Sequence, residues 1–378
     1  MAVKNLSECR VLIVDDVKAN VDMLVEALRG EYKISVALSG EAALRTVEKS
    51  PPDLLLLDIV MPGLDGYEVC RRIRADPANR EIPIMFLSSL EDVRDKARGF
   101  ELGANDYLTK PFEILEVQAR VRSLLKAKAY ADALREAQER DLTIAREIQL
   151  GLLPSDIAGQ VEGTGLDVHA IIEPARHVGG DLFEVLRVSD DRLVVAVGDV
   201  CGKGIPAALF MAVAVTLFRT LARQIESPDE ILRRLNDELA AQNPRSMFVT
   251  MACLDVRGGR VTCANAGHDT SLLLGSGPPR SVFTSTGTVL GLFPGQSYSS
   301  ETLDLERGET LVLYTDGVTD AADPGQSHFG EERLAACFEA GAGATATETV
   351  DRLLRTVHEF AAGAAQYDDI TILALKRT

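Results

Sequence analysis

Short apolar runs alternate with helix-like segments along the first third of the chain. The runs are RVLIVDD, YKISVAL, PDLLLLDIVMP, IPIMFLSS and NDYLTKP. Strands that alternate with helices are typical of a parallel sheet covered by helices on both faces. The runs at 54–57 and 84–87 are almost wholly apolar, as expected for central strands that are buried on two sides. The pattern therefore predicts an α/β doubly wound domain.

Residues 113–153 contain no proline and one glycine, Gly151, so the sequence allows one long helix or a pair of helices. Apolar or small residues recur there at spacings of three and four, with one charged interruption. The positions are Ala127, Tyr130, Leu134, Ala137, Asp141, Ala145, Ile148 and Leu152. This spacing indicates a weak coiled-coil seam. Two interpretations stay open: an exposed linker helix, or a dimeric connector that passes a signal from the first domain to the second.

The remaining residues, 154–378, have a different pattern, in which strands follow one another in runs. The strand-like segments are LDVHAII, LFEVLRV, RLVVAVGD, MFVTMACLDV, RVTCANAG, TSLLLG, TLVLYTD and DITILAL. Two strong helices interrupt them. One follows Gly204, with Pro206 in its first turn, and the other begins at Ser227, which forms a capping-box pattern with Glu230. Strands in runs with helices set apart predict an α+β layered sandwich of sheets with outer helices.

Composition narrows the classes of function. The 378 residues carry a formal net charge of -17, which disfavours a nucleic-acid partner, because such a partner requires clustered Lys and Arg. Six cysteines lie far apart without a CxxC pair, so neither a disulfide framework nor a zinc site is indicated. No stretch approaches the roughly 20 apolar residues of a membrane span, and the first residues lack the apolar core of a signal peptide. We therefore expect a cytoplasmic protein with no nucleic-acid and no membrane partner.

Polar residues end the strands of the first domain. Asp15 and Asp16 end the first strand, Asp58 the third, Ser88 the fourth and Lys110 the fifth. In an open parallel sheet these carboxyl ends are where ligands bind. Three carboxylates so close together repel one another unless a cation neutralises them, and an all-oxygen site suits Mg²⁺.

With these residues, positions 10 to about 125 resemble a response-regulator receiver domain, which has a flavodoxin-like fold. The matching pieces are DD at 15–16, DIVMPGLDG at 58–66, SS at 88–89 and the Lys110–Pro111 pair. The resemblance implies that Asp58 accepts a phosphoryl group from a cognate histidine kinase or phosphotransfer protein. It implies further roles for six residues: Asp15, Asp16 and the Val60 carbonyl around Mg²⁺, Ser88 and Lys110 against the phosphoryl group, and Tyr107 as an aromatic switch. A carboxylate beside Mg²⁺ and Lys is suited to attack phosphorus and to hold the added charge.

Acidic positions also stand out in the second half. They are Asp181, Asp199, Asp316 and the pair Asp368 and Asp369. The predicted hairpin around Asp190 sets 181 opposite 199, where Cβ atoms are about 4.5–5.5 Å apart and like charges destabilise the pairing. Antiparallel pairing of two further strands brings Asp316 near Asp368. Convergent carboxylates favour two Mg²⁺ or Mn²⁺ ions, which can activate a water and clamp a phosphoryl group.

Residues from about 140 to 376 resemble the PPM-type metal-dependent serine/threonine phosphatases, in the bacterial group typified by SpoIIE and RsbU. The matching motifs are AREIQLGLLP, ARHVGGDLFE, VGDVCGKGIPAALFM, MFVTM, NAGH, LVLYTDGVTDA and DDITIL. The resemblance implies an αββα sandwich in which Asp199 bridges two metals beside the Val200 carbonyl. Asp181 then binds one metal, and Asp316 with Asp368 binds the other; Asp368 is favoured over Asp369 as the ligand. Glu184 and Asp320 depart from the family residues, Asp and Glu respectively, but keep the charge.

Together these features predict a receiver domain at 1–125, a helical linker at 113–153 and a phosphatase domain at 154–378. Phosphorylation of Asp58 would control hydrolysis of phosphoserine or phosphothreonine on a protein, and the resemblance implies a STAS-type anti-sigma-factor antagonist as substrate. A homodimer through the linker helix is expected. The alternatives are a non-catalytic adaptor built on a phosphatase-like domain and a diguanylate cyclase, because VGGDLFEV partly matches the cyclase signature. The cyclase reading leaves Asp199, Asp316 and Asp368 without a role.

Overall fold

The structure is a computed structural model that describes residues 5–88, 93–241, 243, 245–339, 341 and 343–378. Ser89, part of the predicted receiver motif, lies outside these residues. The chain divides into two compact units, Met1–Arg140 and Asp141–Thr378. Each unit is described by itself.

The first unit contains a five-stranded parallel sheet in the order β2-β1-β3-β4-β5. Its strands are β1 Arg10–Val14, β2 Lys33–Ala37, β3 Leu54–Asp58, β4 Ile84–Ser88 and β5 Asp106–Thr109. The helices are α1 Lys18–Leu28, α2 Gly40–Lys49, α3 Gly66–Ala75 and α4 Val93–Glu101, after a short 3-10 turn at Leu6–Glu8. Strands β3 and β4 are buried along their whole length. The predicted doubly wound fold is confirmed, and its apolar strands are explained by cores on both faces of the sheet.

A single helix, α5, runs from Ile114 to Leu152 without interruption. The sequence allowed one helix or two, and the structure has one. Its first turns are buried through Val117, Val121 and Leu125, whereas most of the later side chains are exposed. The Lys110–Pro111 peptide bond that precedes it is cis.

The second unit is a sandwich of two antiparallel five-stranded sheets, ordered β13-β10-β9-β8-β7 and β12-β11-β14-β15-β6. Their strands are β6 Leu166–Glu173, β7 Leu182–Ser189, β8 Arg192–Val200, β9 Val249–Arg257, β10 Arg260–Ala266, β11 Ser271–Leu274, β12 Arg280–Val282, β13 Ser300–Asp304, β14 Thr310–Tyr314 and β15 Ile370–Arg377. Alternate residues of a strand point to opposite faces. Leu373 and Leu375 of β15 accordingly lie in the core between the sheets, and Ile372 and Ala374 lie in the core under an outer helix.

Helices cover both outer faces of the sandwich, as predicted. They are α6 Ile157–Val161, α7 Ile205–Ala222, α8 Pro228–Ala241, α9 Asp316–Thr319, α10 Gly330–Ala336 and α11 Ala346–Ala361. Helices α7 and α8 pack on the β7–β10 sheet, and α11 packs on β6 and β15. Sequence analysis named only α7 and α8 and missed α11, although Thr345 caps it by accepting a hydrogen bond from the Glu348 N–H.

Two strands, β12 and β13, were also missed. Both lie at the edge of their sheets and are mostly exposed, so neither has the apolar alternation that marks a half-buried strand. The expectation that no stretch approaches the apolar length of a membrane span was wrong. Helix α7 is long and apolar enough to cross a membrane, by length and composition only. Its six buried residues, among them Met211 and Phe218, belong to the core of the second unit, whereas Leu209 and Val213 of the same helix are exposed.

Candidate functional site

The predicted receiver site lies at the carboxyl edge of the parallel sheet. Asp15, Asp16 and Asp58 each offer a carboxylate oxygen within 4.8 Å of the others. Asp15 and Asp58 are buried and Asp16 is exposed, so the cluster opens to solvent on one side. Its all-oxygen chemistry fits the Mg²⁺ that the receiver resemblance implies.

Lys110 bridges two of these carboxylates. Its Nζ donates to Asp15 Oδ2 at 2.7 Å and to Asp58 Oδ2 at 2.8 Å. Burial raises the pKa of Asp58, and the hydrogen bond from Lys110 opposes that rise. Burial alone would lower the pKa of Lys110, but its hydrogen bonds with Asp15 and Asp58 raise that pKa overall. Lys110 is therefore a charged donor beside the predicted phosphoacceptor.

The other predicted receiver residues lie on the next two strands of the sheet and in the loop after Asp58. Ser88 is fully buried at the end of β4, next to the strand that carries Asp58. Tyr107 is buried with its ring against Phe86 and Phe100, and its hydroxyl lies 3.2 Å from that of Tyr67. Val60, two residues after Asp58, has an exposed side chain, and its backbone hydrogen bond lowers the pKa of Asp58.

The hairpin of β7 and β8 confirms the predicted register. Leu182 pairs with Gly198, so Asp181 and Asp199 stand opposite each other at the next position. A bulge between Arg187 and Ser189 shortens the turn to Asp190 and Asp191 without changing the register at the far end. Gly180 has no room for a side chain there, because a Cβ would lie 2.5 Å from the Val200 carbonyl oxygen.

Asp181 is almost fully buried at this hairpin end. Its Oδ2 accepts hydrogen bonds from the Thr315 hydroxyl at 2.7 Å and from the Thr371 hydroxyl at 2.6 Å. Burial raises its pKa well above the ordinary value, and the nearby charge of Asp199 adds to the rise. Neither threonine was predicted as a site residue. Their sequence positions could have indicated a role, because Thr315 directly precedes Asp316 and Thr371 follows Asp369 by two residues.

Asp199 is close enough to four other carboxylates for their charges to affect it. Its pKa is raised to about 7, first by burial and then by Asp316, whereas a hydrogen bond with Asp181 lowers it. Asp316 begins α9 directly after β14, and its pKa is raised by burial and then by Asp368. Pairing of β14 with β15 brings these residues together, as predicted.

Asp368 and Asp369 have different environments. Asp369 is buried, and its two oxygens accept hydrogen bonds from the Ala175 N–H at 2.8 Å and the Gly180 N–H at 2.7 Å. Asp368 is half-buried and pairs with the Lys203 ammonium at 2.9 Å. Lys203 also lies over the Tyr367 ring, 3.5 Å from its centroid. Both oxygens of Asp369 are therefore occupied by backbone N–H groups, whereas Asp368 accepts the Lys203 ammonium on Oδ2 and the Asp369 N–H on Oδ1.

This donor set fits a pair of hard cations. The groups that converge are carboxylates, which Mg²⁺ and Mn²⁺ prefer. Their pKa values are raised first by burial and then by neighbouring carboxylates, whose charge cations would neutralise. Among the residues that the structure describes, the receiver group alone places three ligand oxygens within 4.8 Å of one another.

Comparison with known proteins decides the family. The family model for stage II sporulation protein E (SpoIIE) matches residues 189–378, half of the chain. The chain belongs to the SpoIIE family. The response regulator receiver domain model matches residues 11–122. This SpoIIE-family chain therefore carries a receiver domain joined to a PPM-type phosphatase domain.

Individual relatives match parts of the chain. Protein IcfG of Synechocystis is 30% identical over 63% of this chain and 41% of that protein. Response regulator PleD of Caulobacter vibrioides is 43% identical over 34% of this chain and 29% of that protein. The chain thus spans less than half the length of either relative. The SiaA-PP2C domain of Pseudomonas aeruginosa shares the fold, with a TM-score of 0.59 and 22% identity over 65% of this chain and 98% of that domain.

Proposed function

We propose that the second unit hydrolyses phosphoserine or phosphothreonine on a protein substrate, and that phosphorylation of Asp58 controls this hydrolysis. The observation that carries the proposal is the convergence of Asp181, Asp199, Asp316 and Asp368 at strand ends of a PPM-type fold. The proposed domains of the chain are a receiver at 1–125, a linker at 113–153 and a phosphatase at 154–378. The proposed location of the protein is the cytoplasm.

In the receiver, Asp58 is the proposed phosphoacceptor. Asp15, Asp16 and the Val60 carbonyl are the proposed Mg²⁺ ligands. Lys110 already donates to Asp58, so it is placed to stabilise the charge that a phosphoryl group brings. Ser88 and Tyr107 complete the proposed site, as a phosphoryl contact and as the aromatic switch.

In the phosphatase unit, Asp199 is proposed to bind both of two Mn²⁺ or Mg²⁺ ions, with the Val200 carbonyl beside it. Asp181 would bind one ion, and Asp316 with Asp368 would bind the other. When bound, the two ions supply an activated water and a clamp for the phosphoryl group. Thr315 and Thr371 orient the Asp181 carboxylate. Asp368 is the better candidate ligand, since it is half-buried and, among the described residues, its Oδ2 is held only by the Lys203 ammonium, whereas buried Asp369 accepts backbone hydrogen bonds from two distant residues on its two oxygens.

The proposed route between the domains is α5, which begins in the first unit and ends in the second. Tyr130 and Leu134, two residues of the predicted seam, are 64% and 57% exposed. Exposed apolar residues at this spacing support a homodimer through the helix. The proposed partners are a histidine kinase or phosphotransfer protein and, from the resemblance to SpoIIE and RsbU, a phosphorylated STAS-type antagonist.

The test is a phosphatase assay of the full chain with Mn²⁺ on a phosphoserine protein, with and without beryllofluoride on Asp58. We expect Mn²⁺-dependent release of phosphate, a rate that changes with beryllofluoride, and loss of activity in Asp199→Ala. Equal activity in Asp199→Ala contradicts the proposed centre. Absence of both hydrolysis and carboxylate-dependent Mn²⁺ binding favours the adaptor alternative.

A further inference from the structure

Gln149 occupies an unusual position on α5. Its side chain is 6% exposed, whereas the apolar side chain of Ile148 beside it is 64% exposed. This last part of the helix therefore buries an amide and exposes an isoleucine, the reverse of the usual preference. A buried amide destabilises a fold unless its polar atoms are hydrogen-bonded, so the contacts of Gln149 must account for its position.

Both polar atoms of Gln149 contact one residue, Gly179. The Gln149 Nε2 donates to the Gly179 carbonyl oxygen at 2.6 Å, and the Gly179 N–H donates to Gln149 Oε1 at 3.1 Å. The side-chain amide thus pairs with a peptide group as a neighbouring strand would. The pair joins residues 30 positions apart, and both hydrogen bonds are buried.

Gly179 lies two residues before Asp181, and the loop around it is held from its other side by Asp369. The Asp369 carboxylate accepts the Gly180 N–H, and a side chain at Gly179 would overlap that carboxylate. The Gly179–Gly180 segment is thus fixed between the Gln149 amide and the Asp369 carboxylate. Displacement of either partner shifts the backbone that carries Asp181.

The end of α5 is anchored at a second point. The Arg219 guanidinium of α7 donates to the Leu152 carbonyl oxygen and also pairs with Glu184 of β7. Glu184 is buried within the same hairpin. Its contact with Arg219 therefore helps to keep the helix end, and with it Gln149, in place.

We propose that Gln149 is a positioning residue for the phosphatase centre: through its paired hydrogen bonds with Gly179 it fixes the backbone that places Asp181 for metal binding. This inference rests on the proposed function for its chemical meaning. It assigns Gln149 no contact with substrate or metal, so its removal should weaken metal binding without removing a ligand. Groups outside the ligand set typically change metal affinity by about 10–100-fold when they are altered.

Two variants of the full chain test this role. Gln149→Met keeps the length of the side chain and removes both hydrogen bonds, and Gln149→Glu keeps an acceptor but sets a second oxygen against the Gly179 carbonyl. Gln138 is exposed on the same helix, so Gln138→Met and Gln138→Glu are matched controls. The measurements are Mn²⁺ affinity by calorimetry, hydrogen exchange of the Gly179 and Gly180 amides without metal, and phosphatase rates against Mn²⁺ concentration.

For both Gln149 variants we expect Mn²⁺ affinity to fall about tenfold, faster exchange of the two glycine amides, and recovery of kcat to near the wild-type value at saturating Mn²⁺. The Gln138 variants should match the wild type. Unchanged Mn²⁺ affinity and glycine exchange in folded Gln149 variants overturn the inference, even if their melting temperatures fall. A wild type that binds Mn²⁺ but hydrolyses no phosphoprotein refutes the proposed function instead, and leaves the effect on Mn²⁺ affinity as a separate result.

Discussion

At the scale of single residues, the phosphatase centre is a set of carboxylates that destabilise one another. The pKa of Asp199 is raised from its ordinary value of 3.8 to about 7 by burial and by Asp316. Between those two values the folded state binds a proton that the unfolded state releases. Stability of the metal-free protein therefore falls as pH rises through this range.

Asp199→Asn should for this reason stabilise the metal-free protein at pH 7.5, because it removes one of the repelling charges. A gain of about 1 kcal/mol raises the melting temperature of a domain of this size by about 2–4 °C. The measurement is a thermal melt in EDTA between pH 5 and 8, in which the wild type loses more stability than the variant as pH rises. Asp190→Asn, in the exposed turn of the same hairpin, is the control. Parallel pH profiles for wild type and Asp199→Asn would contradict the repulsion argument.

Metal affinity should also depend on pH. Protons compete with cations for Asp199 and Asp181, whose pKa values are both raised by burial. We expect Mn²⁺ affinity to rise from pH 6 to pH 8 by up to about tenfold per unit for each proton displaced. Calorimetry in buffers of different ionisation enthalpy measures the protons released. An affinity that is constant over this range would show that the ions bind elsewhere.

Substitutions at Asp368 and Asp369 should show which of the two aspartates binds metal and which one stabilises the fold. Asp368→Asn should weaken Mn²⁺ binding while the metal-free fold keeps its stability, because its partner Lys203 is partly exposed. Asp369→Asn should destabilise the fold by about 1–3 kcal/mol, because the amide leaves a buried N–H of Ala175 or Gly180 without an acceptor. Chemical denaturation and Mn²⁺ titration of both variants distinguish them. If Asp369→Asn weakened Mn²⁺ binding and Asp368→Asn destabilised the metal-free fold instead, Asp369 would be the ligand.

At the scale of secondary structure elements, α5 leaves several large apolar side chains exposed to solvent. Tyr130, Leu134, Ile144 and Ile148 are all exposed on it. Three of these belong to the predicted seam, and Ile144 lies next to the seam position Ala145.

Leu134→Glu should weaken dimerisation of the full chain by at least about tenfold, because it sets two like charges against each other across a coiled-coil seam. Sedimentation equilibrium gives the dimer dissociation constant. Gln138→Glu adds the same charge to the helix outside the seam and should leave the constant unchanged. A wild type that stays monomeric at high concentration rejects the seam as a dimer interface.

At the scale of the whole molecule, each unit has its own hydrophobic core. The core clusters of the described residues lie entirely within one unit or the other. Separate cores favour separate unfolding transitions.

We expect two calorimetric transitions for the metal-free chain. Asp199→Asn should shift one of them, and beryllofluoride with Mg²⁺ should shift the other, since a ligand stabilises the unit that binds it. Differential scanning calorimetry of wild type and variant with each addition makes the assignment. A single transition that moves under both changes would mean that the two units unfold as one.

The sequence by itself determined the features that depend on local pattern. Apolar runs and their polar ends predicted the parallel sheet and the cluster of Asp15, Asp16 and Asp58, because parallel strands share one carboxyl edge. The predicted turn centred on Asp190 set Asp181 opposite Asp199, and the structure keeps this register because a bulge between Arg187 and Ser189 offsets the two-residue turn.

Only the tertiary structure decided the contacts between distant segments. The two hydrogen bonds that occupy Asp369 come from residues 194 and 189 positions away, and the Gln149 contact with Gly179 spans 30 positions. No sequence periodicity predicts such pairs. The sequence does not distinguish an amide or carboxylate side chain that faces solvent from one that is hydrogen-bonded to a buried peptide group. The neighbouring aspartates at 368 and 369 differ in environment for that reason: the packing of the loop at 175–180 occupies both oxygens of Asp369, whereas half-buried Asp368 accepts the Lys203 ammonium and the Asp369 N–H.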